Sequence, residues 1–433
     1  MAMENTMRFL HENVFHDPED YTRGGVVDTS DKTIYIDDKV LEVTKRQKIS
    51  RLLLFTETGE GSCPLACSYC FLAKAGVNKK MSEKTLRDAI DWLRAVSRDK
   101  TPSIHFFGTE PTKNWHLIEL AREYAPEMQM SMTTNGYLLN EERIKWLDEN
   151  DIRIFIYSID GSEEHNQYRV TRSGKSSWNR VSKNLQLLLK SKQAQWMTAR
   201  GSWYPDDYDL VSRFKALEDL GAKSITFIPV VEAPGWDEAK VAQAYIELAD
   251  YYNGGPSPSK MIEDMIQRIE QGPQSPPGNG CGTGFFSWAL SPDGKLSLCQ
   301  GYEEMEIGTI GSIYEGITNE NAFEISRIVD DFHTERDPYP KEECKTCPAY
   351  NYCQGTGYCS SNFYLANGTF HVPPDGYCIH LRGQLTGLKY WLSKRQMNDP
   401  ERNPFMRLFG RKPTEAPTEE TAEAAPTLPD PMG

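Results

Sequence analysis

Three cysteines lie close together in the stretch Cys63-Pro-Leu-Ala-Cys67-Ser-Tyr-Cys70, at C-x3-C-x2-C spacing. Thiolates at this spacing can ligate three irons of a cubane iron–sulfur cluster and leave the fourth iron open to a small molecule. A structural zinc site would need a fourth protein ligand nearby, and no Cys, His, Asp or Glu follows until Glu83. A disulfide interpretation leaves one cysteine over. The loop therefore predicts an open iron–sulfur site.

The other seven of the ten cysteines lie in the C-terminal half of the chain. They are Cys281, Cys299, Cys344, Cys347, Cys353, Cys359 and Cys378. In a chain with no evident secretion signal, cysteines at such spacing indicate metal ligands rather than disulfides. Two interpretations stay open at this point. The cysteines bind further iron–sulfur clusters, or the C-x2-C pair at Cys344 closes a tetrahedral zinc site with Cys353 and Cys378.

Polar motifs follow several strand-like runs. Gly108-Thr-Glu-Pro111 comes after the second run, Thr133-Thr-Asn-Gly136 after the third and Ser158-Ile-Asp-Gly161 after the fourth. Asn, Asp and Ser also favour turns without any ligand, so each motif alone is weak. Four chemical motifs in order along the chain, counting the cysteine loop, favour one shared site.

Strand-like and helix-like runs alternate from residue 51 onwards. The strand-like runs are residues 52–55, 104–107, 128–132, 152–158, 195–199 and 225–231. Apolar residues at helical spacing predict a helix after Ser82, a suitable N-cap, and Asn140 is a suitable cap for a later one. Six β/α units predict an α/β fold with a parallel sheet whose functional residues lie at the C-terminal ends of the strands. Residues 33–43 read as a small hairpin, and Trp288, Tyr302 and Phe363 as core residues.

Composition narrows the function classes. The chain has 433 residues, 39% of them hydrophobic and 25% charged, with a formal charge of −14. This charge disfavours nucleic-acid binding. No apolar run has the length of a membrane span, and no signal peptide is evident, so we expect a cytoplasmic protein. The sequence predicts an N-terminal segment (1–48), a barrel (49–255), a Cys-rich domain (256–395) and a disordered tail (412–433).

The cysteine loop and the motifs after it resemble the radical S-adenosylmethionine (SAM) enzymes over residues of about 50–385. The resemblance implies a partial (β/α)6 TIM-like barrel in which Cys63, Cys67 and Cys70 hold a catalytic [4Fe-4S] cluster that cleaves SAM reductively. It also implies SAM contacts at Phe71, Gly108, Thr109, Glu110, Asn135, Ser158, Asp160 and Arg200. The family has a second Gly where this chain has Thr109.

The C-terminal cysteines resemble the SPASM extension, which binds two auxiliary iron–sulfur clusters. The resemblance implies one closed cluster at Cys344, Cys347, Cys353 and Cys378. Seven cysteines cannot fill two four-thiolate clusters. We therefore assign only Cys281, Cys299 and Cys359 to the other cluster. Its fourth site stays open to Ser287, water, a substrate thiolate or another protein ligand, and a two-iron cluster is a further alternative.

The resemblance implies an enzyme that abstracts a hydrogen atom from a peptide or protein side chain. Sulfatase-maturing members carry an Asp base directly after the second cysteine of the auxiliary region, where this chain has Gln300. A neutral amide cannot take that proton. We therefore expect a peptide maturase that forms a crosslink, a thioether or a related product. Formylglycine formation stays the alternative, with Asp293 or Glu303 as its base, and a non-catalytic metal-stabilised binding protein is the alternative of another class.

The expected partners are a peptide or protein substrate and an electron donor such as flavodoxin or ferredoxin. The segment 1–48 looks too short for the leader-binding domain that many peptide-modifying members carry, so a separate leader-binding protein is also expected. No nucleic acid or membrane partner is expected.

Overall fold

Strands and helices alternate along most of the chain. The computed structural model describes residues 25–28, 33–59, 61–70, 72, 79–271, 282–303, 305–330, 340–355, 359–370 and 372–399. The helices are α1 (Asp38–Arg46), α2 (Glu83–Val96), α3 (Trp115–Tyr124), α4 (Glu141–Glu149), α5 (Trp178–Leu188), α6 (Leu210–Asp219), α7 (Glu238–Tyr251), α8 (Lys260–Gln271), α9 (Phe323–Asp330), α10 (Ser360–Asn367) and α11 (Asp375–Asn398). The strands are β1 (Gly25–Asp28), β2 (Thr33–Ile36), β3 (Arg51–Phe55), β4 (Glu57–Thr58), β5 (Lys79–Lys80), β6 (Ser103–Phe107), β7 (Gln129–Thr134), β8 (Ile152–Ser158), β9 (Thr198–Trp203), β10 (Ile225–Pro229), β11 (Ser287–Leu290), β12 (Lys295–Ser297), β13 (Thr309–Ser312) and β14 (Gly316–Ile317).

Six parallel strands form the centre of the fold. Their order in the sheet is β10-β9-β8-β7-β6-β3, and every neighbouring pair is parallel. Helices connect them, as the alternation of the sequence predicts, so the partial (β/α)6 barrel is confirmed. Because parallel strands end at one edge of the sheet, the residues after β3, β6, β7 and β8 lie along one rim.

The predicted helix signals are also present. Ser82 caps α2, because its hydroxyl accepts a hydrogen bond from the Thr85 amide at 3.0 Å. Asn140 caps α4 in the same way through the Arg143 amide at 2.8 Å. The predicted core aromatics Trp288, Tyr302 and Phe363 are fully buried.

Two predictions of local structure are wrong. Residues 38–46 form α1 instead of the second strand of a hairpin, since Asp37 accepts a hydrogen bond from the Val40 amide and acts as an N-cap. The partner of β2 is β1, which precedes it. The fifth barrel strand begins at Thr198 rather than 195, because Ser191 caps a short 3₁₀ helix at Lys192–Gln195.

The Cys-rich region continues the barrel sheet. Strand β11 pairs in parallel with β3, and β12, β13 and β14 follow in antiparallel order. Helix α11 packs closely on α7, because a Cβ at Gly383 or Gly387 would lie 2.5 Å from the Glu238 carbonyl oxygen or 2.8 Å from that of Ala242. The barrel and the C-terminal region therefore share one sheet and one helix interface.

Some predictions fall outside the described residues. These are the placement of Phe71 and Cys281, the loop at 272–280 and the tail from residue 412. In the part of the chain that the structure describes, none of the helices combines the length and the apolar character that crossing a bilayer requires.

Candidate functional site

The cysteine loop after β3 is held by the segment that follows β8. The Ala66 amide donates to the Val170 carbonyl at 2.8 Å, and the Ser68 amide donates to the Tyr168 carbonyl at 3.2 Å. The Arg172 side chain donates from Nε to the Cys63 carbonyl at 2.8 Å. These three hydrogen bonds hold the loop at the C-terminal rim of the barrel, where the sequence predicts the site.

The three thiols of this loop lie within electrostatic reach of one another. Burial raises the pKa of Cys63, and negative charge on Glu110, Cys67 or Cys70 raises it further. Burial raises the pKa of Cys67 to about 11, while the charge of Arg169 opposes this rise. Thiols of high pKa deprotonate when a metal ion binds them. The three donors therefore fit three irons of a cluster.

Glu110 is buried beside this loop. Its Oε1 accepts hydrogen bonds from the Thr112 amide (3.1 Å), the Thr112 hydroxyl (2.5 Å) and the Thr134 hydroxyl (2.7 Å). Its Oε2 accepts one from the Asn135 amide at 2.8 Å. Burial raises the pKa of Glu110, and these donors oppose the rise. The carboxylate thus joins the motifs after β6 and β7 next to Cys63.

Asn135 and Thr109 also contact the loop. Asn135 donates from Nδ2 to Cys63 Sγ at 3.3 Å, and Oδ1 accepts from the Tyr137 amide. The Thr109 hydroxyl lies 3.3 Å from the Glu57 carbonyl and 3.2 Å from the Ser62 carbonyl. The threonine that replaces the family glycine therefore anchors the residue directly before Cys63. Gly108 adopts φ +114°, a conformation that favours glycine.

Asp160 is the centre of a buried ionic group. Its Oδ2 accepts from the Tyr69 hydroxyl at 2.5 Å, and its Oδ1 accepts from the Ser202 amide at 2.8 Å. The Arg169 Nε lies 2.9 Å from Oδ1, and both charged side chains are buried. Because Tyr69 belongs to the cysteine loop, these contacts connect the loop to β8 and β9. The predicted SAM contact of Asp160 stays a prediction.

Arg200 lies inside the barrel. It is the third residue of β9 rather than its last, in register with Ser158 at the end of β8. The flanking Ala199 and Gly201 are buried towards the helices, so Arg200 points to the concave face. The side chain is accessible to water, but the surrounding barrel partly desolvates it; this desolvation and the charge of Arg169 lower the pKa of Arg200, while Cys359 raises it. Its guanidinium has no hydrogen-bond partner among the described residues.

Two of the three cysteines assigned to the first auxiliary site are brought together. A Cβ at Gly301 would lie 2.1 Å from Ser361 Oγ and 3.6 Å from Cys299 Sγ. Ser361 Oγ is itself 3.2 Å from Cys359 Sγ, and the Tyr302 hydroxyl and Ser360 hydroxyl lie 2.7 Å apart. Glycine at 301 thus allows the segments of Cys299 and Cys359 to meet.

The register places this pair away from the cysteine loop. Ser297 of β12 is opposite Ala289 of β11, so Cys299 lies near the level of Ser287. Ser287 pairs with Arg51, the first residue of β3, whereas the cysteine loop follows the other end of β3. Arg200 is within electrostatic reach of Arg169 near the loop and of Cys359. The concave interior therefore lies between the two groups of thiols.

The four cysteines assigned to the second auxiliary site surround a single cavity. Its lining includes Cys344, Cys347, Cys353 and Cys378. Burial raises the pKa of Cys353, and charge on the other three thiols raises it further. Four thiols that line one cavity supply the donor set of a four-iron cluster, which spaces its ligands more widely than a single ion does. Across the described ranges, no group of three or more His, Cys, Asp or Glu side chains has the spacing for one metal ion.

Residues 61–199 match the family model described as the Radical SAM superfamily. The chain contains a radical SAM domain. Among curated relatives, the serine-type anaerobic sulfatase-maturating enzyme of Bacteroides thetaiotaomicron is 28% identical over 198 residues, or 39% of this chain and 44% of that protein. The cysteine-type anaerobic sulfatase-maturating enzyme of Clostridium novyi is 23% identical over 354 residues, or 73% of this chain and 91% of that protein. The chain thus spans less than half of the first relative.

Solved structures of low identity share the fold of more than three quarters of this chain. The structure of native anSMEcpe with bound AdoMet has a TM-score of 0.61 at 21% identity and covers 77% of this chain and 95% of that chain. Streptococcus suis SuiB bound to precursor peptide SuiA has a TM-score of 0.53 at 14% identity and covers 78% and 79%. Another anSMEcpe structure contains a Cp18Cys peptide.

The radical SAM domain contains interior residues that sequence reasoning missed. His105 of β6 is bonded through Nδ1 to Ser131 Oγ at 2.8 Å and through Nε2 to Thr133 Oγ1 at 3.0 Å. Burial lowers the pKa of His105 to about 4, so its ring is neutral at pH 7. A polar residue in the middle of a predicted strand was the available signal. Ser361 was also missed, although it lies two residues after Cys359.

Proposed function

We propose that this chain is a radical SAM enzyme that modifies a side chain of a peptide or protein. The observation that carries the proposal is the arrangement of the thiols. The Cys63 loop lies at one rim of the barrel, Cys299 and Cys359 meet near the level at which β3 begins, and the exposed Arg200 lies on the concave face between them. A substrate inside the barrel would have access to both groups.

The residues of the rim have distinct roles in this proposal. Cys63, Cys67 and Cys70 hold a [4Fe-4S] cluster, which when bound supplies one-electron cleavage of SAM. Glu110 and Asn135 orient the amino acid part of SAM beside Cys63, which Asn135 contacts. Asp160 and Arg169 hold Tyr69 and therefore the shape of the loop. Arg200 is a cation available to SAM or to the substrate.

The relatives support the choice of substrate class. Two of them are named for sulfatase maturation, and two structural neighbours were solved with peptides. We therefore propose a peptide or protein substrate. The SPASM-like region from residue 256 to 395 would hold two auxiliary clusters, one at Cys344, Cys347, Cys353 and Cys378 and one at Cys281, Cys299 and Cys359. A flavodoxin- or ferredoxin-type donor and a separate leader-binding protein complete the proposal.

Within this class, the residues favour a crosslink, thioether or related product. Gln300 directly follows Cys299, and its amide cannot accept a proton as a carboxylate would. The two carboxylates considered as replacements have other partners. Asp293 forms an ion pair with Lys79 at 2.9 Å, and the buried Glu303 is bonded to Ser291. In contrast, Glu232 follows the C-terminal end of β10, is exposed, and has no side-chain partner among the described residues.

Formylglycine formation is the second candidate, because both curated relatives named above are sulfatase-maturating enzymes. Glu232 would be the proton acceptor in that case. Water reaches its carboxylate, but the surrounding protein partly desolvates it; this desolvation raises the pKa of Glu232 and makes the carboxylate a better proton acceptor than an ordinary one.

The test begins with anaerobically reconstituted, reduced full-length protein and SAM. We expect the wild type, but not Cys67→Ala, to form 5′-deoxyadenosine. If the wild type forms none, the proposal that this chain is a radical SAM enzyme is refuted. Two peptide sets then separate the products by mass spectrometry. One set contains a sulfatase segment with its modified Cys or Ser, and the other contains short Cys- and aromatic-containing peptides encoded beside this gene. An aldehyde that reacts with a hydrazide indicates formylglycine, and loss of two hydrogen atoms without an aldehyde indicates a crosslink or thioether.

A further inference from the structure

A lysine lies beside one thiol of the four-cysteine cavity. Lys341 Nζ is 3.9 Å from Cys378 Sγ and 2.5 Å from Asp375 Oδ1. The two members of this ion pair differ in their exposure. The Lys341 side chain is 20% exposed and that of Asp375 is 90% exposed. Water therefore screens the carboxylate more than the ammonium, and the ammonium is the member of the pair that lies beside the Cys378 thiol.

Other groups around Cys378 add to the positive electrostatic potential that the Lys341 ammonium produces at this thiol. Cys378 lies in the first turn of α11, where the helix macrodipole is positive. Arg382 follows one turn later on the same face of α11, and its Nε is 2.6 Å from Glu238 Oε2 on α7. Thus Glu238 partly compensates Arg382, whereas Lys341 is in direct contact with the thiol.

We infer that Lys341 sets the reduction potential of an iron–sulfur cluster held by Cys344, Cys347, Cys353 and Cys378. The inference rests on the proposed function, which assigns a cluster to these cysteines. Net charge and hydrogen bonds to the sulfurs are among the factors that set such potentials. Reduction adds one electron to the cluster, and a nearby ammonium stabilises the added negative charge. Lys341 stays protonated in both states, so no proton is transferred.

Lys345 provides a matched control. It belongs to the same short 3₁₀ helix as Cys344, and its Nζ forms an ion pair with Glu342 at 2.8 Å, so it has its own exposed partner. Asp375 provides a variant of opposite sign, because removal of its charge leaves Lys341 uncompensated. Since Asp375 is almost fully exposed, Asp375→Asn should not disturb folding.

The experiment is a dithionite titration of the full-length protein, followed by electron paramagnetic resonance at controlled potentials. The Cys67→Ala background removes the signal of the catalytic cluster. At the wild-type midpoint of the auxiliary signal, we expect Lys341→Met to lower the ratio of reduced to oxidised cluster roughly tenfold, which is a shift of about 59 mV towards negative potential. Asp375→Asn should shift the midpoint in the positive direction, and Lys345→Met should leave it unchanged.

Iron content separates the two ways in which the inference can fail. Wild-type protein that holds iron only for the catalytic cluster would refute the auxiliary cluster and the inference with it. Fully loaded protein in which Lys341→Met keeps the wild-type midpoint would refute the inference alone. If Lys341→Met does not load iron, Asp375→Asn decides: a positive shift supports the inference, and an unchanged or negative midpoint overturns it.

Discussion

Replacing Asp160 by Asn tests whether this residue holds the cysteine loop or contacts SAM. The carboxylate and its Arg169 partner are both buried, with 2.9 Å between Nε and Oδ1. Removing one partner of a buried ion pair leaves an uncompensated charge and costs about 3–5 kcal/mol. The Asn side chain keeps the volume and can still accept from the Ser202 amide. We therefore expect a loss of about 3 kcal/mol in the free energy of unfolding of the iron-free protein.

Chemical unfolding of the iron-free protein measures this loss, and iron analysis after reconstitution measures the effect on the loop. We expect Asp160→Asn to load less iron, because Tyr69 loses an ionised partner in the loop. Asp151→Asn is the control, since the Asp151 ion pair with Arg153 is exposed and is worth under about 1 kcal/mol. An Asp160→Asn protein with wild-type stability and iron content, but weaker SAM binding, would refute the structural role and support the cofactor contact.

Four further outcomes are expected. Cys67→Ala should keep auxiliary iron but form no 5′-deoxyadenosine, and full cleavage by that variant would reject the cluster loop. Cys347→Ala should lose soluble yield and iron together, as binding and folding are coupled in small Cys-rich sites; normal yield with unchanged iron would contradict this. Glu110→Gln should raise the Kd for SAM at least about tenfold by calorimetry, with unchanged affinity as the contrary result. Burial raises the pKa of Asp207, but hydrogen-bond donors such as His165 lower it more, so the pKa falls from 3.8 to about 2. The lowered pKa contributes about 1 kcal/mol to the free energy of unfolding after screening by solvent. This contribution is present above pH 3.8 and is lost between pH 3.8 and about 2. Acid unfolding of Asp207→Asn should therefore lack this pH-dependent loss of stability.

The sequence predicted the barrel because strand and helix periodicities are local signals. The runs at 52–55, 104–107 and 152–158 match β3, β6 and β8 to within a residue. Residues 33–36 form the predicted strand β2, but residues 40–43 were misread as a second strand because apolar and polar residues alternate at 41–43; the N-cap at Asp37 starts a helix there instead. At the fifth strand, the cap at Ser191 shifted the start by three residues.

The sequence predicted which residues belong to the site, but not the hydrogen bonds and ion pairs that connect them. Spacing identified the thiols, and the structure brings Cys344, Cys347, Cys353 and Cys378 around one cavity. No local pattern indicated that residues 168–172 bind the cysteine loop, since these contacts join segments about a hundred positions apart. The exposure difference between Lys341 and Asp375 is likewise a tertiary property, although the pair lies beside predicted ligands.

The contacts of Thr109 show how a departure from a family motif can be compensated. Glycine in the family allows unrestricted backbone geometry after Gly108. Here the left-handed conformation is confined to Gly108, and Thr109 needs no positive φ. Its hydroxyl reaches the carbonyls of Glu57 and Ser62, which precede the first ligand of the loop. The substitution therefore restricts the backbone but adds one hydroxyl hydrogen that the Glu57 and Ser62 carbonyls, both before Cys63, can share. Thr109→Gly should accordingly keep the fold but loosen the loop, and the same iron analysis should show slower loading than in the wild type.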